Sequence, residues 1–167
     1  MNLYFMRHGI AADRAPGATA DDRSRVLTPK GIKRIEREAA GLNRLALSFD
    51  RILSSPLERA RQTAKIVAQA LQMEDRLEEI EQLAPDHSVR DLLTGLAAYA
   101  GEKHILLVGH EPLLSRTVAF LLSGKAGANI QLKKGALCCL ELDGTPPHKS
   151  GMLRWVLAPK HLRLMAR

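Results

Sequence analysis

Three short stretches of this sequence carry the residue types needed to hold and attack a phosphoryl group. They are Arg7-His8-Gly9, Ser54-Ser55 followed by Arg59, and Gly109-His110-Glu111-Pro112. Arginine's planar guanidinium pairs with two phosphate oxygens at once. A neutral histidine nitrogen is a competent nucleophile toward phosphorus, and a second histidine can balance charge building on the equatorial oxygens. Singly, each residue has an ordinary use. Arg7 could be a strand-end surface charge, His8 a satisfied structural histidine, His110 a helix cap and Arg59 an exposed helix residue. Together, each beside a helix or loop start, they suggest one pocket with two histidines and two arginines.

Such a pocket needs elements that bring the stretches together. Asn2 to Met6 reads as a short first strand, and Ile10 to Val26, polar and small, as a loop long enough to be functional. Because that loop follows His8 directly, it is expected to border the pocket, with Arg14 or Arg25 reaching substrate. Thr28-Pro29 looks like an N-cap with proline at the first helical position, followed by Ile32, Ile35, Ala39, Leu42 and Ala46 at helical spacing. Arg51 to Leu53 reads as a second strand ending at Ser54. Ser55-Pro56-Leu57-Glu58 has the pattern of a capping box, and Leu57, Ala60, Ala64, Val67 and Leu71 form the next buried stripe. Glu78 to Pro85 is a short edge strand or a loop. Ser88 caps a helix carrying Val89, Leu92, Leu93 and Leu96. His104 to Val108 is nearly all apolar, as in a strand buried on both faces. Pro112 opens a helix through Leu122, and Gly124 to Lys134 is a loop. Ala136 to Leu142 and Met152 to Leu157 read as late strands, a candidate hairpin across Asp143 to Gly151. The alternation argues for an α/β class, a three-layer α/β/α sandwich with a largely parallel central sheet, in one domain over residues 1–167. In such sheets ligands bind beyond the carboxyl ends of the strands, which is where the three stretches fall. Helix N-termini there add free N–H groups and positive potential.

Composition narrows the partners. A formal charge of +7 favours anions. Aromatic residues make up only 4%, too few for stacking platforms, so nucleic acid is not an expected partner. The late basic residues Lys149, Arg154, Lys160, Arg163 and Arg167 read as a solvated face. The longest apolar runs are too short to cross a bilayer, and Leu3 to Met6 meets Arg7 with no signal-peptide layout, so a cytoplasmic protein with no membrane partner is expected. Cys138 and Cys139 are adjacent, point to opposite faces of a strand, and should stay reduced. No Cys/His spacing suggests zinc, and no Walker pattern suggests a nucleotide triphosphate.

The three stretches resemble the motifs of the histidine phosphatase superfamily, the phosphoglycerate mutase-like fold. Phe5-Met6-Arg7-His8-Gly9 is similar to its Arg-His-Gly motif. Ser54 to Ala64 is similar to its Ser-Pro-Leu-x-Arg-Ala-x-Gln-Thr segment, and Val108-Gly109-His110-Glu111-Pro112 to its second catalytic histidine. Within the superfamily the short chain, with Leu27-Thr28-Pro29-Lys30-Gly31, resembles the SixA-type phosphohistidine phosphatases. The resemblance implies His8 as nucleophile and phosphohistidine carrier. It implies that Arg7, Arg59, His110 and Gly9 bind the phosphoryl group, and that no metal or other cofactor is needed. The implied substrate is phosphohistidine borne by a protein; separately, a monomer is expected. His8 must be neutral at the attacking nitrogen, its other nitrogen donating to a backbone carbonyl.

Two departures bear on substrate. Many relatives follow Arg-His-Gly with a Glu and an Asn that touch substrate, but here the residues are Ile10-Ala11-Ala12-Asp13. Many also carry a glutamate as general acid after the third strand, and Gln82 falls there, beside Glu81. Glu81 or Asp86 would substitute, or no strong acid is used. An alkoxide leaving group needs protonation, whereas an imidazole leaves more easily. This leans toward P–N substrates. The alternatives are a phosphatase of small phosphomonoesters and a catalytically silent phosphate-binding module.

Overall fold

The computed structural model describes residues 1–13, 22–125, 129–144 and 151–166. Six strands form one sheet in the order β3-β2-β4-β1-β5-β6. They are β1 (Asn2–Arg7), β2 (Arg51–Ser54), β3 (Leu77–Glu79), β4 (His104–Gly109), β5 (Leu137–Leu142) and β6 (Gly151–Leu157). The first four pair in parallel, and β5 and β6 are added antiparallel beside β1. Among the described residues five α-helices accompany them: α1 (Pro29–Arg44), α2 (Glu58–Leu71), α3 (Val89–Leu96), α4 (Leu113–Ser123) and α5 (Pro159–Met165).

Strand alternation divides the core in two. Leu3 and Phe5, Ile105 and Leu107, and Cys138 and Leu140 face α3 and α4. Tyr4 and Met6, Leu106 and Val108, and Leu137 and Cys139 face α1, α2 and α5. Helices on both faces make the three layers expected from the alternating pattern. The adjacent cysteines lie in opposite cores and are free. Burial pushes the Cys138 thiol up to about 12, which keeps it protonated and unreactive.

Local chemistry accounts for most boundaries. Thr28 accepts from the Gly31 N–H at 3.0 Å and Pro29 opens α1. Ser88 and Asp91 form a reciprocal capping box on α3. Four boundaries differ from the sequence expectation. Helix α1 stops at Arg44, leaving Ala46 beyond it at a positive φ of 52°, exposed rather than in the buried stripe. Helix α2 starts at Glu58 with no side-chain cap at its N-cap residue, Leu57, while the Ser55 hydroxyl is shared between the Leu57 N–H and His110. The 78–85 segment is both an edge strand, β3, and a single 3-10 turn over Glu81–Leu83. Helix α5 is an addition, announced only by Pro159 at its first position and anchored by buried Leu162. Within the 10–26 loop, Asp22–Ser24 form a 3-10 turn and Ala11 bridges to Leu27. Arg14, Lys149 and Arg167 lie outside the described residues. Among the described residues no helix is long and apolar enough to cross a membrane.

Candidate active site

Sheet register brings the three motifs to one edge. Arg7 pairs with Gly109 and Ser54 with Val108, so β1, β2 and β4 end level with each other. The chain then continues in register for one residue: His8 N–H donates to the Gly109 carbonyl at 3.1 Å, and Ser55 N–H to the Val108 carbonyl at 3.0 Å. His8 and His110 therefore emerge side by side, with ring centroids 4.9 Å apart. Arg59 reaches the same place from the first turn of α2. Its Nε donates to His8 Nε2 at 3.3 Å. All three side chains are buried.

The segment after His8 is tied down by α2. Gly9 N–H donates to the Thr63 hydroxyl at 3.0 Å, and Leu27 N–H to the Gln62 side chain at 2.7 Å. A Cβ at Gly9 would lie 2.7 Å from Ile35 Cγ1, so the close approach of α1 favours glycine there. Gly9, expected to touch substrate, is used differently. Its N–H is committed to Thr63, and its carbonyl accepts from His8 Nδ1 at 2.7 Å.

That last bond decides the tautomer. A carbonyl oxygen only accepts, so Nδ1 of the neutral ring carries the proton and Nε2 the lone pair. The ring is neutral because burial, aided by the Arg59, Arg7 and Lys134 charges and opposed by the Gly9 bond, pulls its pKa down to about 3. His110 is also pulled down to about 3, by burial first and then by His8 and Arg59. Its Nε2 sits 2.9 Å from the Ser55 hydroxyl, which also accepts from the Leu57 N–H at 3.3 Å.

A cavity of about 340 Å³ opens over this group. Besides His8, His110, Arg7 and Arg59 it is bordered by Arg25, Lys134, Asp22 and Glu111. Asp22 bridges two arginines, accepting from Arg59 Nη2 at 2.8 Å and from Arg25 Nη1 at 2.8 Å. Glu111 accepts from the Leu132 N–H at 3.0 Å and from the Ser115 hydroxyl. Arg7 is steadied by a 3.0 Å bond to the Leu132 carbonyl. Two buried nitrogens, Arg7 Nε and His110 Nδ1, have no hydrogen-bond partner among the described residues. Four cations against two carboxylates, with uncommitted polar nitrogens among them, make a receptor for an oxyanion.

His8, Arg7, Arg59 and His110 are thus brought together, and Arg25 joins them at the border. Glu81 is not. Its carboxylate accepts two bonds from Arg23, at 2.9 and 3.1 Å, its side chain is 61% exposed, and it does not line the cavity. The Gln82 side chain lies against Gly95 of α3. Asp22, Lys134 and the Ser55–His110 bond escape the sequence argument, and Glu111 enters it only as part of the His110 stretch, without a role. The paired acids Asp21-Asp22 in the loop after His8 are the one visible signal. Among the described residues no group of three or more His, Cys, Asp or Glu side chains could hold a metal ion.

Comparisons with known proteins bear on the family and the fold. The model of the histidine phosphatase superfamily (branch 1) matches residues 3–84. An uncharacterized protein of Picosynechococcus sp. (strain ATCC 27264 / PCC 7002 / PR-6) is 39% identical over 166 residues, covering 97% of this chain and 99% of that one. A phosphohistidine phosphatase SixA homolog of Haemophilus influenzae (strain ATCC 51907 / DSM 11121 / KW20 / Rd) is 37% identical over 131 residues, covering 72% of this chain and 77% of its own. Among solved structures, the protein histidine phosphatase SixA complexed with tungstate superposes with a TM-score of 0.83 at 28% identity. That match covers 97% of this chain and 99% of the other.

Proposed function

The chain belongs to the histidine phosphatase superfamily and is a phosphatase of that type, and on that premise we propose that it removes the phosphoryl group from phosphohistidine in a protein substrate. His8 is the nucleophile in this reading. The observation that carries it is the 2.7 Å bond from His8 Nδ1 to the Gly9 carbonyl, which leaves Nε2 as the nitrogen with a lone pair. In the first step Nε2 attacks phosphorus in line as the P–N bond to the substrate imidazole breaks. The electron pair leaves with that nitrogen, which takes a proton from solvent. In the second step water attacks the phosphoenzyme, the P–Nε2 bond breaks with its pair returning to Nε2, and phosphate departs. Arg7 and Arg59 pair with the phosphoryl oxygens in both steps.

His110 assists when its Nδ1 carries a proton. Ser55 Oγ accepts from Leu57, so its own hydrogen is available to His110 Nε2. Nδ1–H is then a donor to a phosphoryl oxygen. No metal enters either step.

The carboxylates support this choice of substrate class. Asp22 is held by two arginines, and Glu111 by a backbone N–H and a hydroxyl, as suits the ionised form. Glu81 is committed to Arg23 outside the cavity. Among the described residues, the two carboxylates that border the cavity are thus acceptors in these bonds, while Asp86 is exposed beside the bordering Pro85. A leaving group that departs without strong acid assistance fits such a site, and imidazole does so better than an alkoxide. The purified protein should release phosphate from a phosphohistidine peptide faster than from phosphoserine or a sugar phosphate. Activity should be insensitive to a chelator. Equal or reversed rates would remove the phosphohistidine assignment while leaving a phosphatase.

A further inference from the structure

Beside the phosphoryl pocket, and sharing Arg7 and Lys134 with it, lies a second cavity of about 540 Å³. Its remaining charges come from parts of the chain far apart in sequence. Arg34 stands on α1, Lys133 precedes β5, and Lys160 and Arg163 lie on α5. Local runs of basic residues are usually solvated faces, but here three separate elements converge to build the same charge. One carboxylate offsets it from beneath. Glu38 of α1 is bonded to Arg163, and burial pushes its pKa up to about 7 despite the attraction of Arg163 and Arg34. Among the described residues no ion pair engages Lys133, Lys134 or Lys160. Six cations around one opening repel each other and are relieved by an anion.

The lining also says which kind of anion. The apolar contribution is Ile10, Ala158 and Pro159, with no aromatic ring, so a nucleobase would have nothing to stack on. Lys133, Lys134, Lys160 and Arg34 are exposed. Exposed cations act as screened point charges that gain only when several anionic groups meet several of them together. That favours a spread of carboxylates over one compact phosphate. The shared residues Arg7 and Lys134 set the position: whatever fills this cavity continues from the group held at His8.

We propose that this basic cavity docks acidic side chains of the protein that presents the phosphohistidine. The docking deepens the phosphohistidine reading and rests on it. Charge complementarity at this surface would act on encounter and binding rather than on the chemical step.

The test uses two phosphohistidine peptides, one with four glutamates flanking the phosphorylated residue and one with four glutamines. It compares the native protein with the double variant K133E/K160E, which leaves the residues around His8 in place. The native protein should show a KM about tenfold lower for the glutamate peptide, a preference that fades with added salt. In K133E/K160E that preference should vanish, while kcat and the glutamine-peptide KM stay as they were. An unchanged preference in the variant, or an equal loss on both peptides, would overturn the docking site. Stronger competition by single-stranded RNA than by an unphosphorylated glutamate-rich peptide would overturn the choice of partner. If the native protein hydrolyses neither phosphohistidine peptide, the phosphohistidine reading fails by itself. Docking is then read from binding of the fluorescently labelled, unphosphorylated glutamate-rich peptide. Binding by the native protein that is lost in K133E/K160E would support docking, and equal binding by both proteins would overturn it.

Discussion

The ends of β1 and β4 look like two copies of one device. The strands are adjacent and parallel, each delivers a buried histidine to the same cavity, and burial pulls each ring down to about 3. What holds the rings differs. His8 is held by its own neighbour's carbonyl, a partner that can only accept and that no substitution removes. His110 is held by the Ser55 hydroxyl, brought from the end of β2 and able to donate or accept. After His8 the chain enters a loop anchored by Gln62 and Thr63; after His110 it enters α4 almost at once. The lesson is a division of labour. The proton on the attacking ring is fixed by backbone, and the proton on the assisting ring is set by a side chain that can be changed.

The hardest test of that division is to remove each ring in turn. His8→Ala should lower turnover about a thousandfold or more and abolish acid-labile, base-stable label after mixing with a radiolabelled phosphodonor. His110→Ala should cost roughly a hundredfold yet still accumulate label slowly, because the carrier nitrogen remains. Label retained in His8→Ala and lost in His110→Ala would reverse the two roles.

The same contrast explains what the sequence discloses. The strand-borne residues Arg7, His8 and His110 are legible because apolar runs mark where strands end, and parallel register then makes the ends level. Arg59 is legible from a helix start. Asp22 and Lys134 are not, since each reaches the cavity from a loop whose path no periodicity encodes. Gly9 is legible as a needed glycine but not in its use, because a motif does not say which donors are already spent. Ser55 is misleading for a physical reason. A serine followed by proline and then glutamate has the composition of a helix cap, yet its hydroxyl is shared between the Leu57 N–H and His110, and α2 begins only at Glu58 with no side-chain cap at Leu57. Helix α5 is too short for its single buried leucine to show a stripe.

Ser55→Ala sharpens the comparison with a smaller effect. The lost bond is one neutral hydrogen bond, so kcat should fall by about tenfold or less. The His110 ring should begin to sample its other tautomer, visible in its imidazole nitrogen shifts, while those of His8 stay put. A His8 shift as large as that of His110 would mean that the two rings are held as one unit.

The smallest response is expected from pH. Both rings are neutral in the folded protein down to about 3, against an ordinary histidine value of about 6.5. From pH 8 down to pH 5 neither ring should take up a proton, and their nitrogen shifts should stay flat. Stability should not stay flat. As pH falls below about 6.5, these two histidines gain protons when unfolded but not when folded, so the unfolded state binds more protons. Their contribution therefore lowers stability as pH drops from 6.5 toward 3, and the loss is recovered as pH rises back through 6.5. Glu38 works the other way, because its folded pKa of about 7 lets it take up a proton when folded before it does when unfolded. The two histidines together outweigh it, so denaturant titrations of the native protein at pH 7 and pH 5 should show the midpoint fall, and His8→Phe should blunt or cancel that fall by removing one of the two groups. A ring that titrates near 6.5 in the folded protein would remove the matched burial on which the comparison of the two strand ends rests.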